Sequence, residues 1–336
     1  MNSKTYYVGE STKTNCNVCT CLANGEMVCD SAPCLIEAEI IENVNNLKTS
    51  WNAANNSQFW GFSLDQGYEY FLGTHGPTDE VIQMTQVDSI LTPEDIPSQY
   101  DHRQDHGSLG IALDQGLCGA SYAFSTIALM NARINLASKT TVSPRLSAQE
   151  LVSCVEGAGC GGGYITHAWF YFNKNGVSFE SFEGETCYVY NSGKNNETGT
   201  CESSTDLTCS ETRFMSSPSY RLACEEDIMR DIINYGPVQA LIKVAQDFFH
   251  YESGVYHSTM EVPVGQDYYH SVILLGWGQQ DGIPYWIGRN SWGEQWGECD
   301  DGECGFFKIV RGSNESLVES FVVAAHPDLH GHLDLI

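Results

Sequence analysis

Basic residues are scarce in this chain: 16 lysines and arginines stand against 43 aspartates and glutamates in 336 residues, a formal net charge of −27. So acidic a surface repels phosphate backbones and anionic lipid headgroups, which argues against nucleic acid as a partner. Long apolar runs are missing as well. No stretch reaches the length of a membrane span, and residues 1–10 carry no apolar core of the kind a secretory leader needs. Paired C-x-x-C sets at metal-ligand spacing are also absent, and no metal or organic cofactor is implied.

What the chain does have is cysteine, 14 residues of it, together with N-x-S/T sequons at Asn55, Asn196 and Asn314. The combination points to an oxidising, glycosylating compartment, so a secreted or lysosomal protein is expected. A cytosolic protein would have to keep all of these thiols reduced. With 42% apolar residues the chain can bury one large core, and unequal parts are expected. The division read from composition is a small cysteine-rich module at 1–34, a segment at 35–96, a main domain at 97–326 and a flexible tail at 327–336. The tail's histidines admit a metal-binding reading beside that of a disordered end.

Cys16, Cys19, Cys21, Cys29 and Cys34 crowd a stretch with too few apolar residues for a core, so crosslinks must hold it together. A zinc knuckle is the competing reading, although no distal pair or histidine follows at ligand spacing. The odd count leaves one thiol whose partner would lie upstream. Next, Leu35 to Leu47 is helix-compatible and leads into the aromatic residues Trp51, Phe59, Trp60 and Phe62, a packing segment. The proline- and acid-rich run Thr92 to Pro97 marks a boundary. Helices are predicted from Ser121 to Ala137, after Ser147 with Glu150 as a capping box, and from Ile165 to Asn173 with Gly176 ending it. Beyond Pro237 the runs Val238 to Val244, Ser271 to Trp277, Tyr285 to Ile287 and Phe306 to Val310 read as strands. A helix-rich half followed by a strand-rich half gives an α+β protein with a cleft between the halves.

Three separated motifs carry the chemistry: Asp114-Gln-Gly-Leu-Cys-Gly-Ala-Ser-Tyr-Ala-Phe-Ser125, then Tyr269-His-Ser-Val-Ile-Leu-Leu-Gly-Trp-Gly278, then Asn290-Ser-Trp-Gly293. Together with Cys160-Gly-Gly-Gly-Tyr164 they resemble the papain family of cysteine proteases, with one departure: Ser121 stands where that family has its nucleophilic cysteine. The resemblance implies a two-lobed fold, with a helical left lobe and a β-barrel-like right lobe. It places Ser121 in the nucleophile seat, His270 as its acid–base partner, Asn290 orienting the imidazole and Gln115 in the oxyanion hole. Trp292 would shield the Asn–His contact, and Gly162 and Gly163 would pair with substrate backbone. A thiolate at a helix N-terminus beside an imidazolium is what this chemistry runs on, and a hydroxyl is far less acidic. Serine implies a non-proteolytic member; the alternative is a working peptidase acting on peptide bonds. Read without the resemblance, Ser121 is a helix N-cap and His270 with Asn290 a buried hydrogen-bonded pair.

Downstream, Asn290 to Trp292, Phe306 to Ile309 and Arg311-Gly312 are similar to cathepsin B, but no His-His pair stands in the Cys187 to Cys209 region, so the carboxydipeptidase mode is not implied. Leu35 to Thr74, with its Phe71-Leu-Gly-Thr74 end, resembles the cathepsin B pro-segment, which runs through the cleft in a non-productive direction. Together with the VWC-like cysteine module and the serine, this organisation resembles the tubulointerstitial nephritis antigen family of secreted matrix proteins. That implies an extracellular or basement-membrane location and binding to laminin or collagen. Of the disulfides, Cys118 with Cys160 would pin the first helix to the glycine loop and Cys299 with Cys304 would close a local loop. Cys154, Cys187, Cys201, Cys209 and Cys224 allow several pairings.

Overall fold

A computed structural model of the chain describes residues 5–78, 84, 96–182, 185–201, 213–262, 268–300 and 302–329. Most of Thr92 to Pro97, Cys209 and the tail from residue 330 therefore lie outside the described residues. The N-terminal module is a three-stranded antiparallel sheet of Ser11–Thr14, Asn17–Cys21 and Met27–Cys29. Disulfides Cys16–Cys34 and Cys19–Cys29 hold it, which sets aside a zinc knuckle and leaves Cys21 buried and unbridged.

The segment after it contributes two helices, Ala38–Leu47 and Leu64–Phe71. Ser63 caps the second in a full capping box with Gln66, two otherwise orphaned backbone donors being satisfied reciprocally. Trp51 and Phe59 are buried, Phe62 packs against the core, and Trp60 is half exposed. The strand Trp51–Ala53 joins the edge of the main sheet, antiparallel to Tyr251–Tyr256. The segment is thus hydrogen-bonded into the domain it precedes.

The helical lobe is built on Ser121–Ala137, most of whose residues are buried. Ala148–Cys154 follows, with Ser147 accepting from the Glu150 amide. Only that half of the expected capping box forms, because the Glu150 carboxylate turns to Tyr171, Arg213 and the Ser178 amide instead. The next helix, Ile165–Asn175, ends at Gly176, whose φ of 68° suits a residue without Cβ. The other lobe is a ten-stranded sheet whose centre is Val238–Lys243, Tyr269–Gln280, Ile283–Arg289 and Glu303–Val310, antiparallel in that order. Among the described residues no helix is long and apolar enough to cross a membrane.

The disulfides Cys118–Cys160 and Cys299–Cys304 form as expected, Cys154 pairs with Cys201, Cys187 is bridged, and Cys224 is free and exposed. The tail is corrected as well: Pro327–Asp328, assigned to a flexible tail, pair antiparallel with Met215–Ser216. Their neighbour His326 packs its ring against Tyr220 and Tyr235.

A buried ion pair ties the Ser121–Ala137 helix to the helix Glu225–Tyr235, which packs against the sheet. Arg133, about one turn from the C-terminal end of the Ser121–Ala137 helix, bonds Asp231 and the Tyr220 hydroxyl at 3.0 Å, while Tyr220 donates to Asp231 at 2.7 Å. Removing one partner leaves a charge buried without compensation, so Asp231→Ala is expected to cost about 3–5 kcal/mol. Replacing both residues with leucine and methionine should cost less than that single change. Urea unfolding of the variants checks it; a single variant less harmed than the double would contradict the ion pair's role.

Candidate active site

Ser121 is the first residue of its helix, one place inside the cap, which is Ala120; the N-cap reading is corrected accordingly. A helix leaves its first N–H groups without intrahelical partners, so the Ser121 amide is a free donor at the positive end of the helix. The Cys118–Cys160 disulfide and the Gly119–Cys160 backbone bond fix the turn that delivers it. His270 comes from the second residue of the strand Tyr269–Gln280, and Asn290 from the loop after Ile283–Arg289, the antiparallel neighbour of that strand. All three are buried.

His270 Nε2 lies 2.6 Å from Asn290 Oδ1, and that oxygen also accepts from the Ser291 amide at 2.7 Å. An acceptor at this distance fixes the proton on Nε2 and leaves Nδ1 as the basic nitrogen. The Trp292 ring, 4.9 Å from the imidazole, covers the pair as expected. Nδ1, however, is buried with no hydrogen-bond partner. The Ser121 hydroxyl does not engage it: that hydroxyl is bonded to the Thr74 hydroxyl at 2.7 Å and accepts from the Ser271 amide at 3.2 Å.

Thr74 belongs to the segment that precedes the domain, and the oxyanion donors are taken by the same segment. The Ser121 amide donates to the Leu72 carbonyl at 3.2 Å, and Gln115 Nε2 donates to the same oxygen at 3.1 Å. Ser291 Oγ donates to Gln115 Oε1 at 2.7 Å and so orients the amide. Further anchors hold the chain on either side. Trp292 Nε1 donates to the Phe71 carbonyl at 2.7 Å, Gly163 donates to the Gly73 carbonyl at 3.1 Å, and the His75 amide donates to Gly163 at 3.0 Å. Gly73 is obligatory here. Its φ is +95°, and a Cβ would come within 1.9 Å of the Gly119 carbonyl oxygen.

The sequence-expected residues Gln115, Ser121, His270 and Asn290 therefore converge, and Gly162, Gly163 and Trp292 border them. Trp292 is not open to a ligand: it is buried and stacked on Phe249 with centroids 4.8 Å apart. Of the sequons, Asn55 and Asn314 are exposed, whereas Asn196 is half-buried and its amide donates to Glu69 of the preceding segment at 3.1 Å. Sequence reasoning missed Leu72 and Thr74 as contacts of the nucleophile position. It also missed Gln239, which joins Ser125, Thr126 and Ser271 beneath the site and accepts from Trp169 at 2.7 Å. No spacing rule marks these residues. Among the described residues no group of three or more His, Cys, Asp or Glu could hold a metal ion.

Residues 96–326 match the family described as papain family cysteine protease. The chain is 37% identical to a tubulointerstitial nephritis antigen-like protein of Rattus norvegicus, over 92% of this chain and 72% of the relative. It is 31% identical to cathepsin B-like cysteine proteinase 3 of Caenorhabditis elegans, over 87% and 83% respectively. Among solved structures it is similar to procathepsin B S9 from Trypanosoma congolense, with a TM-score of 0.74 and 27% identity over 88% of this chain and 99% of that one.

Burial pushes His270, His102 and His250 from the ordinary 6.5 down to about 4. His250 Nε2 accepts from the Glu37 amide at 3.1 Å, so its protonation would also break an anchor of the preceding segment. The unfolded chain binds these protons at higher pH than the folded one. Stability is therefore complete above about pH 6.5 and falls as pH drops toward about 4, by up to about 1.4 kcal/mol per pH unit for each imidazole. Asp247, pushed above the usual carboxylate range by burial, opposes this as a single group, while His75 and His326, also lowered by burial, act with the three. Urea midpoints at about pH 7 and about pH 5 test it, the lower pH giving the lower midpoint; an unchanged or higher midpoint refutes the assignment.

Proposed function

This chain belongs to the papain family of cysteine proteases, in the tubulointerstitial nephritis antigen group, and we propose that it is a non-hydrolysing cathepsin B-like scaffold whose cleft is kept filled by its own preceding segment. One observation carries the reading: the hydroxyl in the nucleophile seat is bonded to Thr74 rather than to His270, while Leu72 occupies both oxyanion donors. A serine must lose its proton to a general base during attack, and the base nearest in role has no hydrogen bond to it. His270 is moreover held neutral by burial, so the preformed ion pair used by a cysteine enzyme has no counterpart.

The place of action that fits is outside the cell. Disulfides run through the module and both lobes, and two of the sequons are exposed. As partners we assign basement-membrane proteins, laminin or collagen, on the likeness to the antigen group; an acidic surface of −27 favours their basic segments. Saturable binding of the secreted, glycosylated chain to immobilised laminin or collagen, weakened by salt, is the expected result. Binding to neither removes the partner assignment.

Hydrolysis is tested with the chain cut near Ile96, using a pooled peptide library and the wild type beside Ser121→Cys and Ser121→Ala. Wild type is expected to match the alanine variant, with the cysteine variant faster by several orders of magnitude. If wild type outpaces alanine, Ser121 is a working nucleophile and the protein is a peptidase.

A further inference from the structure

A cavity of about 330 Å³ lies between the Ser121–Ala137 helix, the loop at 107–113 and the end of the strand Ile283–Arg289. Its size is within the range of small-molecule sites. Phe124, Ala128, Leu113 and Ile273 supply apolar wall, and His102, Arg289 and Asn290 supply polar wall. Each of these three polar residues is more than nine-tenths buried, and each carries a polar atom with no partner: His102 Nδ1, Arg289 Nε and Asn290 Nδ2. A buried polar group without a partner costs about 1–3 kcal/mol, so three around one cavity require a reason.

Arg289 is the most demanding. Its guanidinium rests over the Phe306 ring at 4.9 Å, and the Gly110 carbonyl is the acceptor it meets among the described residues, through Nη2. Its neighbour Arg103, over the same ring at 4.1 Å, instead pairs with the carboxylates of Asp101 and Asp300. Glu303 and Glu294 act on Arg289 from beyond ion-pair distance, and burial lowers it to about 10, which still leaves it charged at neutral pH. A fixed planar cation with unused donors, set against an apolar wall, matches a carboxylate that carries an apolar body.

We propose that this cavity binds a small organic carboxylate, its head on the Arg289 guanidinium and its apolar body against Phe124 and Ala128. The cavity shares Asn290 with the candidate active site, but Leu72, Thr74, Ser121 and His270 are not in its wall, and the proposal does not depend on whether Ser121 hydrolyses anything.

The probe is 3-phenylpropionate titrated into the full chain by calorimetry and ligand-observed NMR, beside its neutral amide. Arg289→Gln removes the cation, and Ala128→Phe fills the cavity without touching a charge. Saturable binding of the carboxylate is expected, about tenfold or more weaker for the amide and for Arg289→Gln, and lost in Ala128→Phe. Should Arg289→Gln not fold, the amide and Ala128→Phe decide. No saturable binding to the wild type, which would mean that water alone fills the cavity, overturns the proposal. So does equal binding of amide and carboxylate, or undiminished binding to a folded Ala128→Phe.

Discussion

The carbonyl oxygen of Leu72 organises the site. A helix start leaves the Ser121 amide without a partner, and Gln115 is buried with its amide turned to the same place, so two donors converge where a peptide oxygen fits. Such donors must be satisfied when buried, and the chain satisfies them with itself. Once Leu72 is seated, the residues on either side have little freedom: Phe71 meets Trp292, Gly73 must approach Gly119 without a Cβ, and Thr74 arrives at the Ser121 hydroxyl. The outlying parts of the segment extend the same logic, since Trp51–Ala53 completes a sheet edge and the Glu37 amide bonds His250.

Such a site needs rigid walls, and buried polar joints supply them. Gln239 connects the strand Val238–Lys243 to Ser125 and Thr126 of the helix and to Ser271 next to His270. Its oxygen accepts from Trp169 of another helix. Fully satisfied networks of this kind fix one relative position of the packed elements, because any shift strands a donor in an apolar surround. The helix start and the histidine strand are thereby held in register, and the Arg133–Asp231 pair does the same work at the far end of the helix.

Much of this was legible in the sequence. The Ser121–Ala137 helix was read to the residue, since the stretch between Gly119-Ala120 and Ser138 is mostly apolar or helix-tolerant and holds no glycine or proline. Gln115, Ser121, His270 and Asn290 were found because each sits in a motif with distinctive neighbours. The contacts of Leu72 and Thr74 were not legible, for a physical reason. Backbone carbonyls carry no residue identity, and a threonine hydroxyl finds its partner only through tertiary geometry. The half-formed capping box at Ser147 failed similarly: Glu150 had stronger partners in Arg213 and Tyr171, more than twenty residues away in sequence. The paired strand Pro327–Asp328 was missed because a short edge pairing needs no apolar run to announce it.

The exchange of cysteine for serine acts on two things at once. A thiol is a weak hydrogen-bond donor and acceptor, whereas a hydroxyl is a good one, and Thr74 offers a hydroxyl at 2.7 Å. A buried bond of this kind is worth about 1 kcal/mol net. On the proposed reading, the atom that removes the nucleophile also adds a latch on the segment lying over it. Losing hydrolysis and retaining the segment would then be two consequences of one hydroxyl. His270 meanwhile keeps its bond to Asn290 while Nδ1 faces no partner. The imidazole is positioned by the strand pairing and the Trp292 cover, which do not depend on residue 121, so its geometry does not require a cysteine there.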